Sequence, residues 1–123
     1  METVGTGAGQ LTLKLQIGSA RALVFVFKRY DSTTELTTDE DISTKTFSFT
    51  LWKFKGARKH ILNYTNGNGI TVPIYSTNEI RVDILAADVS GIDEGEGYWE
   101  LRRTDLDEAK ISGPVLLSFD APQ

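Results

Sequence analysis

The sequence predicts an all-β protein, an immunoglobulin-like antiparallel β-sandwich of roughly seven to nine short strands with one short helical turn. Three observations carry that expectation. Short stretches alternate apolar and polar residues with the period of two of a half-buried strand. Clusters of Gly, Asn, Asp, Ser and Thr, which favour turns for distinct backbone reasons, separate those stretches. No segment sustains the 3.6-residue period of an amphipathic helix, and no internal repeat is evident.

Residues 1–10 contain Gly5, Gly7 and Gly9 and read as a flexible glycine-rich arm, leaving 11–123 as a single sandwich domain. Leu11 to Ile17 alternates strictly and ends at Gly18-Ser19-Ala20. Leu23 to Phe27 is apolar at every position, which predicts a strand covered on both faces at the centre of a sheet. Asp31 to Thr44 has only Leu36 and Ile42 to bury and reads as a long surface connection. In Thr46 to Lys53 the core side is Phe47, Phe49 and Leu51, with Trp52 opposite and Phe54 continuing the core series.

A basic turn surrounds Gly56, and His60 to Tyr64 is a short strand ending at the two Asn-Gly pairs of Asn66 to Gly69. Ile70 to Ile74 and Glu79 to Ile84 form a hairpin, and Pro73, which lacks an N–H, places the first of them at a sheet edge or bulge. Helical spacing over Leu85 to Ile92 gives the one turn, and the acidic Asp93 to Gly97 leads into the strand Tyr98 to Arg103. The last strand, Lys110 to Phe119, is expected to break at Gly113-Pro114, with Val115, Leu117 and Phe119 on one face.

The chain has 123 residues, 40% of them hydrophobic and 24% charged, which suits one globular domain. Its net charge of −4 opposes binding to nucleic acid or to an anionic membrane surface. It has no cysteine, hence no disulfide and no thiolate metal site. The first residues have neither the basic nor the apolar run of a signal peptide, and the longest apolar run, Ala22 to Phe27, is too short to span a bilayer. The expectation is a product made in a cytoplasm.

His60 is the only histidine, and no glycine elbow surrounds any serine, so a serine triad has no support. Acidic residues gather at Asp39-Glu40-Asp41 and at Asp88, Asp93, Glu94 and Glu96, without the spacing of a calcium loop. They read as solvated turns, with weak calcium binding or a glycosidase carboxylate pair as the sharper alternatives. Trp52, Lys53, Phe54, Lys55, Arg58 and Lys59 interleave aromatics with positive charge. That pattern suits stacking on single-stranded nucleic acid, or a strand end whose aromatics are core and whose lysines are solvated. The overall acidity favours the second reading. Trp52 and Tyr64, if exposed, would stack on a sugar or fill a partner's pocket. Asn63-Tyr64-Thr65 matches the glycosylation acceptor by chance in a chain without a signal peptide, and Gly5-Thr6-Gly7-Ala8-Gly9 lacks the strand and final glycine of a dinucleotide loop.

From Leu23 onward, the order of features resembles the N-terminal domain of phage baseplate upper proteins and small immunoglobulin-like domains of phage tail and fibre proteins. Asp41-Ile42-Ser43-Thr44 stands before the aromatic-rich strand Thr46 to Trp52, and Asn68-Gly69-Ile70-Thr71-Val72 precedes a short hairpin. Ile80 to Ile84 runs into Leu85-Ala86-Ala87-Asp88, Gly97-Tyr98-Trp99-Glu100-Leu101 looks like the family's Gly-Tyr-x-Tyr-Asp-Leu strand, and Gly113 with Val115, Leu117 and Phe119 resembles its closing strand. The resemblance implies a non-enzymatic virion structural protein without cofactor or metal. Its expected partners are other virion proteins and further copies of itself, with neither nucleic acid nor membrane among them. From the residues themselves, the expected contact sites are the N-terminal arm and Trp52, Lys53, Lys55, Arg58, Lys59 and Tyr64. A carbohydrate-binding module using Trp52, Tyr64 or Trp99 is the alternative.

Overall fold

The computed structural model describes residues 2–6, 9–72, 77–105 and 108–119, with 2–6, 9–10, 29–31 and 108–110 described by backbone alone. In chain order the strands are β1 (Glu2–Thr6), β2 (Gly9–Gln10), β3 (Leu13–Gln16), β4 (Arg21–Asp31), β5 (Leu36–Asp39), β6 (Phe47–Trp52), β7 (His60–Asn66), β8 (Gly69–Thr71) and β9 (Glu79–Ile84). A single turn of 3-10 helix, Ala86–Val89, follows, then β10 (Gly95–Arg103) and β11 (Glu108–Ser118).

The protein is all-β, as the alternation predicts, and its strands form a curled sheet of mixed direction where the sequence predicts a purely antiparallel sandwich. Hydrogen bonding runs along one curled path, β1-β4-β9-β8-β7-β6-β10-β11-β2, with β3 beside β11 and β5 beside β4. Four of the pairings are parallel: β1 with β4, β7 with β8, and both β2 and β3 with β11. Alternation along a strand specifies which residues face inward and says nothing about the direction of the neighbouring strand, which is why the expected all-antiparallel pairing does not follow from it.

The concave side of the curl holds the core. Leu23, Phe25 and Phe27 of β4 meet Phe47, Phe49 and Leu51 of β6, Ile80, Val82 and Ile84 of β9, and Trp99 and Leu101 of β10. Trp99 is fully buried, with ring centroids 5.9 Å from Phe25 and 5.8 Å from Phe49. Its indole N–H donates to the Leu11 carbonyl at 2.8 Å, so the polar end of this large side chain is satisfied inside the core. Gly113 lies opposite Trp99 in register, and a Cβ there would strike the backbone of Leu11.

Several expectations change. β4 lies next to the outermost strand of the path, not at its centre, because among the described residues β1 alone pairs with it on that side. β8 lies between β7 and β9, inside the path; Pro73 falls outside the described residues. β11 runs unbroken through Gly113-Pro114, and Phe119 is 60% exposed beyond its end. Of the expected arm, Glu2–Thr6 pairs with β4 and Gly9–Gln10 with β11. The connection 31–44 contains the wholly exposed β5 and the fully buried Ile42. Among the described residues no helix is long and apolar enough to cross a membrane.

Registers define two ends of the sheet. At one end lie the start of β4, the end of β9, the end of β6 and the starts of β7 and β10, since Arg21 pairs with Ile84 and Trp52 with both His60 and Tyr98. At the other end Val26 pairs with Glu79 and Phe47 with Arg103. Arg103, almost fully buried, holds this second end through two hydrogen bonds to Asp105, of 3.0 and 2.6 Å, and a 3.9 Å ion pair with Glu40.

Candidate functional site

At the first end, the register between β6 and β7 slips by one residue after Leu51, and β6 stops at Trp52. A bulge of this kind bends the strand and ends its regular pairing. The chain then leaves the sheet as the loop 53–59, tightened by the Ala57 N–H bonding to the Phe54 carbonyl at 3.1 Å. With the period of two lost, Phe54 does not return to the core. It is 59% exposed, which overturns its expected place in the core series.

Facing the loop is the segment that follows β9: the 3-10 turn and the acidic stretch after it. Between them lies a groove of about 680 Å³, lined by Phe54, Ala57, Ile61 and Ile92, by Lys53, Arg58, Lys59 and His60, and by Asp88 and Ser90. That volume falls among ligand-sized clefts of roughly 300–1,000 Å³. Phe54 faces water there while Ala57, Ile61 and Ile92 are half-buried, and the cations add local positive charge to a chain whose net charge is −4.

The groove wall is set from below by Tyr64, which is 6% exposed. Its hydroxyl donates to Asp88 Oδ2 at 2.6 Å and accepts from the Leu85 N–H at 3.1 Å, fixing the 3-10 turn at both ends. Burial, and then the hydrogen bond to Asp88, push its pKa up to about 12. Gly69 sits against the ring at a φ of 95°, and a Cβ there would collide with Tyr64, so both the conformation and the space call for glycine. Tyr64 therefore has no exposed face to offer a sugar or a partner, and the same holds for fully buried Trp99.

The other expected residues divide between two neighbouring patches. Lys53, Arg58 and Lys59 line the groove. Lys55 instead places its ammonium 5.4 Å from the centre of the Tyr98 ring, a cation–π contact worth about 0.5–1 kcal/mol at an exposed site. Trp52, half-buried on the outer face, stacks at a tilt on Tyr98 with centroids 6.0 Å apart. Lys53 also forms a 3.6 Å ion pair with Asp93, and both side chains are mostly in water, so the pair contributes about 0–1 kcal/mol. Among the described residues neither Arg58 nor Lys59 forms an ion pair.

The carboxylates weighed as catalytic or calcium ligands are spread out. Asp88 bonds to Tyr64, Asp93 to Lys53, and Glu94 accepts from the Phe119 N–H at 3.0 Å. Among the described residues no three His, Cys, Asp or Glu side chains are grouped to hold a metal. The sequence reading missed Ile61, Ile92 and Tyr98 as members of this surface. Ile61 reads in the sequence only as part of a short strand, and the fold is what brings it to the same groove as Ile92.

Comparison with known proteins adds little. No family model and no curated protein matches the chain. Among solved structures, the chain is similar to the N-terminal domain of phage TP901-1 ORF48, at 8% identity and a TM-score of 0.48, over 96% of this chain and 99% of that one. At that level of identity and overlap, the likeness assigns neither a family nor a function.

Proposed function

We propose that the protein is a non-enzymatic structural component of a phage particle, attaching within a tail, baseplate or fibre through protein–protein contacts. The observation that carries this reading is the loop 53–59. It places an exposed Phe54 beside Lys53, Arg58 and Lys59 over a groove with an apolar lining. A large aromatic held out of the core beside arginine has the composition of an interface centre. The order of sequence features from Leu23 to Phe119, which resembles baseplate upper proteins and other phage tail domains, supplies the setting. On this reading the protein is made in the host cytoplasm and works in the virion, among other virion proteins and further copies of itself, with no cofactor, nucleic acid or membrane.

Mixing the purified protein with purified virion parts gives, on this reading, a complex of fixed stoichiometry. Phe54→Asp weakens it by about 30-fold or more, the loss typical of an interface hot spot. Particles left undecorated by the wild-type protein would refute the assignment.

One observation favours a second reading, a carbohydrate-binding module: the Trp52–Tyr98 pair presents partly exposed aromatic rings on the outer face. Glycan-array binding that disappears in Trp52→Ala, with virion binding absent, would decide for it.

A further inference from the structure

The second end of the sheet carries a feature whose chemistry complements the groove. β4 outruns both of its neighbours. β9 stops at Glu79, opposite Val26, and β1 stops at Thr6, opposite Phe27. Beyond that point, among the described residues, β4 pairs only with β5, from Lys28 opposite Asp39 to Asp31 opposite Leu36. Among the described residues the result is a two-stranded ribbon that extends past β1 and β9.

Every residue from Ser32 to Asp39 is exposed, and Leu36 is 60% exposed. A lone two-stranded hairpin without a covered apolar face is marginal in water, and here a 3.4 Å ion pair between Lys28 and Asp39 joins its two strands. Glu35, beside Leu36, has a φ of 57°. Left-handed backbone is uncommon for a residue with a side chain, and such conformations persist where the surroundings fix them. The ribbon thus presents an apolar side chain next to a carboxylate, at its tip, with no core beneath it.

We propose that this tip is the occupant of the groove in a second copy of the chain. Leu36 enters among Phe54, Ile61 and Ile92, and Glu35 meets Arg58 and Lys59. Two complementarities support that pairing. The ribbon offers one exposed apolar residue flanked by acid, and the groove offers an apolar lining flanked by Arg58 and Lys59, which form no ion pair among the described residues. A single copy cannot satisfy both. Ribbon and groove lie at opposite ends of the sheet, and β4 alone, at about 3.3 Å per residue, separates its first and last residues by roughly 30 Å.

In this arrangement the contact is heterologous, whereas a reciprocal exchange of tips would close as a two-fold dimer. One surface of the first copy meets a different surface of the second, and repetition gives a ring if the rotation closes or a filament if it does not. This deepens the docking reading above by naming the partner of the same groove, and it rests on that reading's view of the loop as a contact surface.

Two variants test it in the full chain. Leu36→Asp destroys the tip and leaves the groove; the double variant Arg58→Glu, Lys59→Glu destroys the groove and leaves the tip. All three positions are exposed, so both proteins should fold, which circular dichroism checks. In sedimentation velocity the wild type should associate progressively with concentration. Each variant alone should stay monomeric, its self-affinity reduced by about 30-fold or more. An equimolar mixture of the two variants should form dimers and stop there, because only one intact tip and one intact groove are available. A wild type that stops at the dimer would show a reciprocal two-fold contact and overturn the heterologous arrangement.

A wild type that remains monomeric throughout, or variants that associate as the wild type does, would overturn the proposal. Virion decoration separates this outcome from failure of the docking reading. If decoration is lost in the groove variant and kept in Leu36→Asp while the wild type does not self-associate, the groove serves a different partner and the self-contact is wrong. If the wild type self-associates as described and never decorates particles, the self-contact stands and the virion assignment fails.

Discussion

The wall formed by β6, β10 and β11 and the ribbon formed by β4 and β5 are both antiparallel pairings, yet they are held by different forces. In the wall, backbone hydrogen bonds line up residues whose alternate side chains are buried, with Trp99 and Leu101 between Phe49, Leu51 and Ile111. In the ribbon the pairing register is just as regular, but β5 buries nothing. Regular hydrogen bonding is thus common to both, and burial separates the part that stabilises the fold from the part that is free to serve another purpose. Leu101 and Leu36 make the contrast at fixed chemistry: the first is fully buried, the second 60% exposed.

Four substitutions sharpen this contrast, the largest first. Trp99→Ala should cost about 3–5 kcal/mol in chemical denaturation, the range for removing a buried aromatic. A loss under about 1 kcal/mol would mean that the wall does not depend on it. Tyr64→Phe should cost about 1–3 kcal/mol, because Asp88 and the Leu85 N–H lose their shared partner. Tyr64 also sets a pH limit. Its folded pKa of about 12 lies above the ordinary 10.0, so its contribution is complete below pH 10 and is lost as the pH rises toward 12. The wild type should lose more stability than Tyr64→Phe across that window.

At the acid end, Asp105 behaves in the opposite sense. The hydrogen bond from Arg103 holds its carboxyl at about 2, below the ordinary 3.8. Its contribution is present above about pH 4 and is lost as the pH falls through 2, so Asp105→Asn should flatten the acid limb of a stability–pH curve. The smallest effect belongs to the ribbon. Leu36→Ala should change stability by no more than about 0.5 kcal/mol, as for an ordinary surface position, and a cost near 2 kcal/mol would show a burial that the isolated chain lacks.

Much of the inward face was legible in the sequence. The core side read in Phe47-Phe49-Leu51 and the alternating runs Glu79 to Ile84 and Tyr98 to Arg103 appear in the structure as strands with alternate residues buried, although Trp99, weighed as a sugar platform, lies fully inside. The expectation failed where a strand has nothing to bury or loses its period. Leu36-Thr37-Thr38-Asp39 reads as loop because its pairing depends on backbone groups that every residue shares. Phe54 reads as core because the slip after Leu51 is a property of how β6 meets β7, not of either strand alone. In the candidate site, the cations of 53–59 were visible as a cluster. The burial of Tyr64 depends on Asp88, 24 residues away, and no local pattern announces such a partner.

The pairing of β2 and β3 with β11 has a consequence in time. Gly9 meets Ile111, a separation of about 100 residues, and at about 5–20 residues per second the ribosome needs roughly 5–20 s to make that length. Contacts so distant in sequence also form late once the chain is complete, because a long loop must first close. Throughout that interval Leu13 and Leu15, buried in the finished fold, lack the strand that covers them. A newly made chain is therefore open at this seam until its last described strand has emerged, and chaperones would meet it there.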